Sequence, residues 1–340
     1  MATLRDIEKM TGVSLATISR ILNGSTGAAP EKVEKVMSAV QALDYHLPER
    51  VSRKKERGRM IVALTSTYGF WSSMYDGMIA AARAAGYTVM IHYMPRELGG
   101  IDAEQLLRNV LRPELNIIGL IISNAALDEQ SYHILREKYP IVFCGQYHTL
   151  HGTCSVSSND MEAAYELAEH MISVGKRRFV MLEAEETEQF ANSTTLQENR
   201  RQGFLRAAQK HGIPDGDVRI LSIPKLSDVA PAIERLLAEE NPPDALFCPH
   251  ARFALEAEIA LLSRGVDIPG QMALASFDAD YMHSTWPNIT TITQNFREFG
   301  VESVHLLESV ISGESRQGKR VFIDHSIAIG ATTVRNAAQG

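Results

Sequence analysis

The chain has 340 residues, 45% hydrophobic and 22% charged, with a formal net charge of −7. That length suits two or three domains with their own cores, and that composition excludes collagen-like, mucin-like and wholly disordered proteins. Three cysteines without a C-x-x-C pair (Cys144, Cys154, Cys248) argue against a disulfide framework or a cysteine-rich zinc site. No apolar run nears the roughly 18 residues of a membrane span, and the start, MATLRDIEKM, lacks the apolar core of a secretory signal, so a cytoplasmic protein with no membrane partner is expected.

Charge divides the chain. Residues 1–59 hold 11 Lys and Arg against 7 Asp and Glu, a net of +4, which leaves −11 on the remainder. A basic head on an acidic body suggests a head that meets a polyanion, although a solvated terminus would carry the same excess. Thr3 suits the N-cap of a helix over about 4–10, with Asp6 in its first turn. Thr11-Gly12-Val13 breaks that helix, Ser14 caps a second from Leu15 to about Leu22, and Asn23-Gly24 closes it. A third runs from Pro30 to about Leu43. Ile7, Met10, Val13, Ile18, Ile21, Leu22, Val33, Val36, Val40 and Leu43 give each helix one face to bury. Helix, tight turn, helix is the geometry that lays a recognition helix in a major groove. The outward face of the second helix carries Leu15, Ala16, Thr17, Ser19 and Arg20. Short hydroxyls suit phosphates, Arg20 suits a guanine edge, and Leu15 and Ala16 can touch a thymine methyl.

The run TLRDIEKMTGVSLATISRILNG resembles the N-terminal signature of the LacI/GalR family of bacterial transcriptional regulators. Thr3-Leu4, Asp6-Ile7, Gly12-Val13-Ser14, Ala16-Thr17-Ile18-Ser19-Arg20 and Asn23-Gly24 carry the match. The resemblance implies a homodimeric regulator on double-stranded, pseudo-palindromic operator DNA, its affinity set by a small ligand. Thr3, Ser14, Leu15, Ala16, Thr17, Ser19, Arg20 and Asn23 are then the DNA-contacting candidates in the head. The family's next feature is a hinge helix whose apolar wedge unstacks a central base step in the minor groove. In Tyr45-His46-Leu47-Pro48-Glu49-Arg50-Val51-Ser52-Arg53-Lys54-Lys55, Pro48 and Ser52-Arg53 match that element and Lys55 falls at the wedge. Lysine does not unstack bases but suits a narrow, negative groove. Arg53 and Lys55 are therefore expected to hold DNA by charge, with weak kinking. A disordered basic linker from Arg50 to Arg59 is the plainer alternative.

From Met60 the pattern changes to short apolar runs between helical stretches. Strand candidates are Met60–Leu64, Tyr87–Ile91, Ile117–Ile122, Ile141–Phe143, Phe179–Leu182, Arg219–Ser222, Ala245–Phe247 and Met272–Ser276. Continuous apolar strands alternating with helices point to parallel sheets buried on both faces. Two doubly wound lobes facing across a cleft make a natural ligand trap. The body also resembles the family's periplasmic-binding-protein-like core, through Gly175-Lys176-Arg177-Arg178-Phe179, Arg200-Arg201-Gln202-Gly203-Phe204, Ser276-Phe277-Asp278 and Pro287-Asn288-Ile289-Thr290-Thr291-Ile292-Thr293-Gln294. Ile118-Gly119 and Asn159-Asp160 are weaker echoes. The expected fold is an all-α helix-turn-helix head over residues 1–46, a basic hinge over 47–59, and an α/β core of two doubly wound parallel-sheet lobes over 60–340. Lobe 1 is expected at about 60–157 and 290–318, lobe 2 at about 158–288 and 320–340.

Carried over from the family, Arg200, Asp278 and Gln294 are the effector-binding candidates. A guanidinium fork and a carboxylate suit vicinal hydroxyls or an anionic group, although a surface ion pair, a turn cap and a loop hydrogen bond would also account for them. Tyr68, Phe70 and Trp71 offer rings for the apolar faces of a sugar, or belong to a packed interface. Asn124 follows Ile121-Ile122-Ser123 at a strand end. After Cys248-Pro249 the family's Asn-Asp is replaced by His250-Ala251. His250 can donate or accept, titrates near physiological pH when unperturbed, and makes sugar specificity unsafe to copy.

The sequence carries no G-x-G-x-x-G after the first strand, no G-x-x-x-x-G-K-[ST] and no G-x-S-x-G. The histidines are scattered, and His148 with His151 lacks clustered carboxylates for a metal. No enzyme, no catalytic residue, no metal and no cofactor are expected. The expectation is a regulator, most simply a repressor, of a carbohydrate-utilisation operon, controlled by a sugar-like effector between the lobes. The alternatives are a regulator responding to a purine or sugar phosphate and, in another class, a cytoplasmic sugar-binding protein or an enzyme.

Overall fold

The computed structural model describes residues 3–22, 29–43, 45, 58–66, 72–94, 101–123, 125, 127–145, 152–184, 193–278, 289–315 and 318–334. The chain divides into two compact units, Met1–Arg59 with Pro113–Asn116, and Met60–Arg112 with Ile117–Gly340. Among the described residues no helix is long and apolar enough to cross a membrane.

In the first unit, α1 (Leu4–Thr11), α2 (Leu15–Leu22) and α3 (Pro30–Ala42) fold around Ile7, Val13, Ile18, Ile21, Leu22, Val36 and Ala39. The apolar residues recur on one side of each helix and meet at this core. Met10 is the exception. Expected on the buried face, it is 57% exposed.

The second unit holds two six-stranded sheets. In lobe 1 the strands are β1 (Arg59–Thr65), β2 (Tyr87–Tyr93), β3 (Ile117–Ser123), β4 (Ile141–Cys144), β5 (Cys154–Ser158) and β11 (Arg320–Ile323), in the order β11-β5-β4-β3-β1-β2. In lobe 2 they are β6 (Phe179–Ala184), β7 (Val218–Ile223), β8 (Ala245–Cys248), β9 (Ala273–Phe277), β10 (Thr290–Gln294) and β12 (His325–Ala328), in the order β12-β10-β9-β8-β6-β7. The β10–β12 pair is antiparallel, whereas β6, β7, β8, β9 and β10 pair in parallel.

Each sheet is buried on both faces, which explains the uninterrupted apolar runs. In lobe 1, Ile61 and Ala63 of β1 face α4 (Ser72–Ala84) and α11 (Phe296–Ile311). Val62 and Leu64 face α5 (Ala103–Asn109) and α6 (Glu129–Arg136). In lobe 2, Phe179 and Met181 pack with α7 (Asp160–Ser173) and α8 (Ser193–Lys210). Val180 and Leu182 pack with α9 (Val229–Leu237) and α10 (Ala251–Leu262).

The lobe boundaries depart from expectation at two places. Residues 290–294, expected in lobe 1, form β10 inside the lobe 2 sheet, and residues 320–323, expected in lobe 2, form β11 beside β5 in lobe 1. Strand pairing decides both. Thr290–Ile292 register on Ala275–Phe277, and Arg320–Ile323 on Ser155–Ser158. The chain thus passes between lobes at Asn159, at Asn295 and at Asp324, where one lobe's strand ends and the other lobe's next element begins.

Candidate functional site

The head's outward face is held by short-range bonds. Thr3 donates from its amide and its hydroxyl to Asp6 Oδ2, at 2.8 and 2.7 Å, and these bonds hold the Asp6 carboxyl below its ordinary pKa. Gly12 takes a left-handed conformation with φ of 67°, which lets α1 end and α2 begin within three residues. Glu8 then reaches across the turn, its Oε1 accepting the Leu15 amide at 3.0 Å, and so caps an orphan donor of α2 from another helix. Ser14 Oγ and Thr17 Oγ1 lie 3.0 Å apart on the first turn. Ser14 and Ala16 are exposed, while Leu15, Thr17 and Ser19 are half-buried. The structure thus gathers Ser14, Leu15, Ala16, Thr17 and Ser19 on α2, with Thr3 at the start of α1. The Arg20 side chain, Asn23, Arg53 and Lys55 lie outside the described residues, as does the hinge segment 46–57.

In the core, Arg200, His250, Asp278 and Gln294 come together at the carboxyl ends of lobe 2 strands. His250 follows β8 by two residues, Asp278 follows β9 directly, and Gln294 closes β10. Arg200 lies on α8, which follows β6. Its Nε donates to Asp160 Oδ1 at 2.9 Å, Nη1 to the Pro249 carbonyl at 2.8 Å and Nη2 to Asp278 Oδ2 at 3.3 Å. The guanidinium carbon sits 3.8 Å from the centre of the Phe277 ring, a stacked cation–π contact. Gln294 Nε2 donates to the other oxygen, Asp278 Oδ1. Asp278 has φ of 61°, an unusual left-handed backbone for a residue with a side chain. Its amide donates to the Ile292 carbonyl at 3.0 Å, so strand β10 fixes the turn that aims the carboxylate.

Gly203 explains the spacing of Arg-x-x-Gly-Phe. A Cβ there would lie 2.0 Å from the Met161 carbonyl oxygen. Only glycine lets α8 approach α7 so closely, and one turn earlier Arg200 is thereby brought to Asp160. Its neighbour Arg201 points elsewhere, forking onto Glu183 at 2.9 and 2.6 Å.

Electrostatics separate the site's groups. Burial pushes the Asp278 carboxyl up, Arg200 opposes this and the like charge of Asp160 adds to it, giving a value of about 6. Burial works against the Arg200 charge, but Asp160 and Asp278 outweigh it and hold the guanidinium ionised. His250 is lowered to about 4 by burial, then by the positive charges of Arg200 and Arg252. The sequence expectation of an imidazole titrating near physiological pH is thereby corrected: the ring, packed edge-on against Phe253 with centroids 4.6 Å apart, is neutral. The Arg200 guanidinium is thus held between two carboxyl groups, Asp160 and Asp278.

Tyr68, Phe70, Trp71 and Asn124 lie outside the described residues. Among the described residues no cluster of His, Cys, Asp or Glu could hold a metal. Sequence reasoning gave Asp160 only as an echo of a family motif and did not single out Phe277 as a platform.

A family model for bacterial regulatory proteins of the lacI family matches residues 3–47, and one for a periplasmic binding protein-like domain matches residues 168–333. The chain belongs to the lacI family. This regulator is 27% identical to the HTH-type transcriptional repressor PurR of Vibrio cholerae, covering 99% of both chains. It is 23% identical to catabolite control protein A of Priestia megaterium, covering 97% of this chain and 99% of the relative. A crystal structure of the Lac repressor dimer bound to operator and an anti-inducer shares its fold, with a TM-score of 0.68 at 21% identity over 98% of this chain and 99% of that one. The chain is therefore a DNA-binding transcriptional regulator and not an enzyme.

Proposed function

We propose that the regulator acts as a homodimer on pseudo-palindromic operator DNA. Two α2 faces read half-sites about one helical turn apart, residues 47–59 join head to core, and a small neutral effector held by Arg200, His250, Asp278 and Gln294 sets DNA affinity. The observation that carries this reading is the Arg200–Asp278–Gln294 network at the carboxyl ends of β9 and β10, the position where open α/β sheets take ligands. The likeness to a Lac repressor dimer on its operator supports the assembly.

The charge balance selects the effector class. Arg200 is already shared by Asp160 and Asp278, so a sugar phosphate or sugar acid would bring an anion against a surplus carboxylate. A neutral purine base fits better. Its ring N–H groups suit Asp278 and its carbonyl suits a remaining guanidinium N–H. Likeness to PurR over nearly the full length supports this class ahead of the carbohydrate expected from sequence. A neutral sugar is the second reading, because vicinal hydroxyls suit the same carboxylate and guanidinium.

A thermal-shift panel of hypoxanthine, guanine, adenine, neutral mono- and disaccharides, sugar phosphates and sugar acids tests it. A ligand at 100 times its Kd adds about 2.7 kcal/mol, which raises the transition by several degrees. Stabilisation by a purine base is the expected result, and by a neutral sugar alone the second reading. A sugar phosphate or acid as the strongest stabiliser overturns the charge argument.

A further inference from the structure

The site does not end at the groups that face a ligand. Asp160 is fully buried and opens α7, the first element of lobe 2 after the first crossing. Its Oδ1 accepts from Arg200 Nε, and its Oδ2 accepts from the Ser158 hydroxyl at 2.7 Å. Ser158 is the last residue of β5, a lobe 1 strand paired with β11. At the other end of the network, Gln294 is the last residue of β10 and directly precedes the second crossing at Asn295. An unbroken run of hydrogen bonds therefore links Ser158, Asp160, Arg200, Asp278 and Gln294. It spans the first of the three places where the chain changes lobe and ends directly before the second. Every member is buried or nearly so, the Arg200 side chain being 11% exposed.

We infer that Ser158 and Asp160 are positioning residues that tie the Arg200 guanidinium to the lobe 1 side of the first crossing, so that the placement of Arg200 and the placement of the lobes are one variable. This rests on the reading of Arg200 and Asp278 as the effector site. Asp160 is fully buried and Ser158 only 5% exposed, so neither presents a face to a ligand. They act through Arg200. A carboxylate suits this role because it accepts on both oxygens at once, one bond facing each lobe. A group that pulls Arg200 toward Asp278 moves the pivot, and a change at the pivot moves Arg200. That is the two-state, reciprocal coupling on which ligand control depends.

The test needs no effector, so its outcome is separate from that of the ligand panel. Cys144, Cys154 and Cys248 are buried, so spin labels can be placed on the full chain at Lys138→Cys in lobe 1 and Gln209→Cys in lobe 2, both exposed positions. Interlobe distances are then read by pulsed electron resonance in Asp160→Asn, Ser158→Ala, Arg200→Lys and the Asp160→Asn/Arg200→Lys pair. Asn159→Ala serves as the control. It removes the N-cap oxygen that accepts the Glu162 amide, and so weakens the same helix end without touching the network. The expected result is a shifted or broadened distance distribution in Asp160→Asn and Ser158→Ala, an unchanged one in Asn159→Ala, and no further change when Asp160→Asn is added to Arg200→Lys. Wild-type distances in Asp160→Asn and Ser158→Ala overturn the inference. So does an equal change in Asn159→Ala, or a full additional effect in the double variant.

Discussion

The head and the core site are built over very different distances along the chain. In the head, the bonds among the described residues that run along the α2 face are short in range: Thr3 to Asp6, Thr11 to Ile7, Glu8 to Leu15, Ser14 to Thr17. In the core, Arg200 meets partners 40, 49 and 78 residues away. The head's polar groups sit on an exposed or half-buried face. The core's are desolvated, and they hold one another in place of water. A surface that must meet a polyanion keeps its donors accessible, whereas a site that must change state with a small ligand buries opposed charges whose balance a ligand can tip.

Removing Arg200 breaks this contrast most severely. Arg200→Ala leaves Asp160 and Asp278 facing each other without a cation, and a loss of about 3–5 kcal/mol is expected in urea denaturation of the core. The head's own melting should stay unchanged.

The pH dependence sharpens it. The Asp278 pKa is raised from 3.8 to about 6. Its favourable contribution to stability is therefore full below the unfolded value and is lost as pH rises through about 6, on the order of 3 kcal/mol at 1.36 kcal/mol per unit. The His250 pKa is lowered from 6.5 to about 4, so its contribution is present above 6.5 and is lost as pH falls through about 4. The two slopes oppose each other. Asp278→Asn removes one, and the variant's stability should rise with pH between 4 and 6.5 more steeply than that of the wild type, as measured by urea midpoints across that range.

Gly203→Ala is expected to cost about 1–3 kcal/mol, because the helices must separate to admit a methyl group. Since Arg200 lies one turn away, effector affinity should fall with it, as calorimetry would show. The smallest effect belongs to the head. Glu8→Ala uncaps the Leu15 amide at a cost of about 1 kcal/mol, typical of a lost cap. It should weaken DNA binding without changing effector affinity.

The same difference in range explains what was legible. The head's elements were readable almost residue by residue, because Thr3, Gly12, Ser14 and Pro30 signal locally. The core strands were readable where they were long and apolar, as in β1 and β3. The polar edges were not: β5, with Ser155, Ser157 and Ser158, shows no apolar run, and the lobe membership of β10 and β11 follows from pairing partners more than a dozen residues away. Arg200, Asp278 and Gln294 were reachable through the family motifs. The role of Asp160 was not, since it depends on a guanidinium 40 residues on. Nor was the neutrality of His250, which burial and two arginines decide.

The most direct test of the account is operator binding by the wild type and by Asp278→Asn, with and without the strongest stabiliser from the neutral panel, on a duplex selected from a random library by the wild-type chain. The ligand is expected to change wild-type affinity at least ~5-fold, while Asp278→Asn binds the duplex as tightly as the ligand-free wild type and no longer responds. A normal response in Asp278→Asn, or loss of its ligand-free DNA binding, would contradict it.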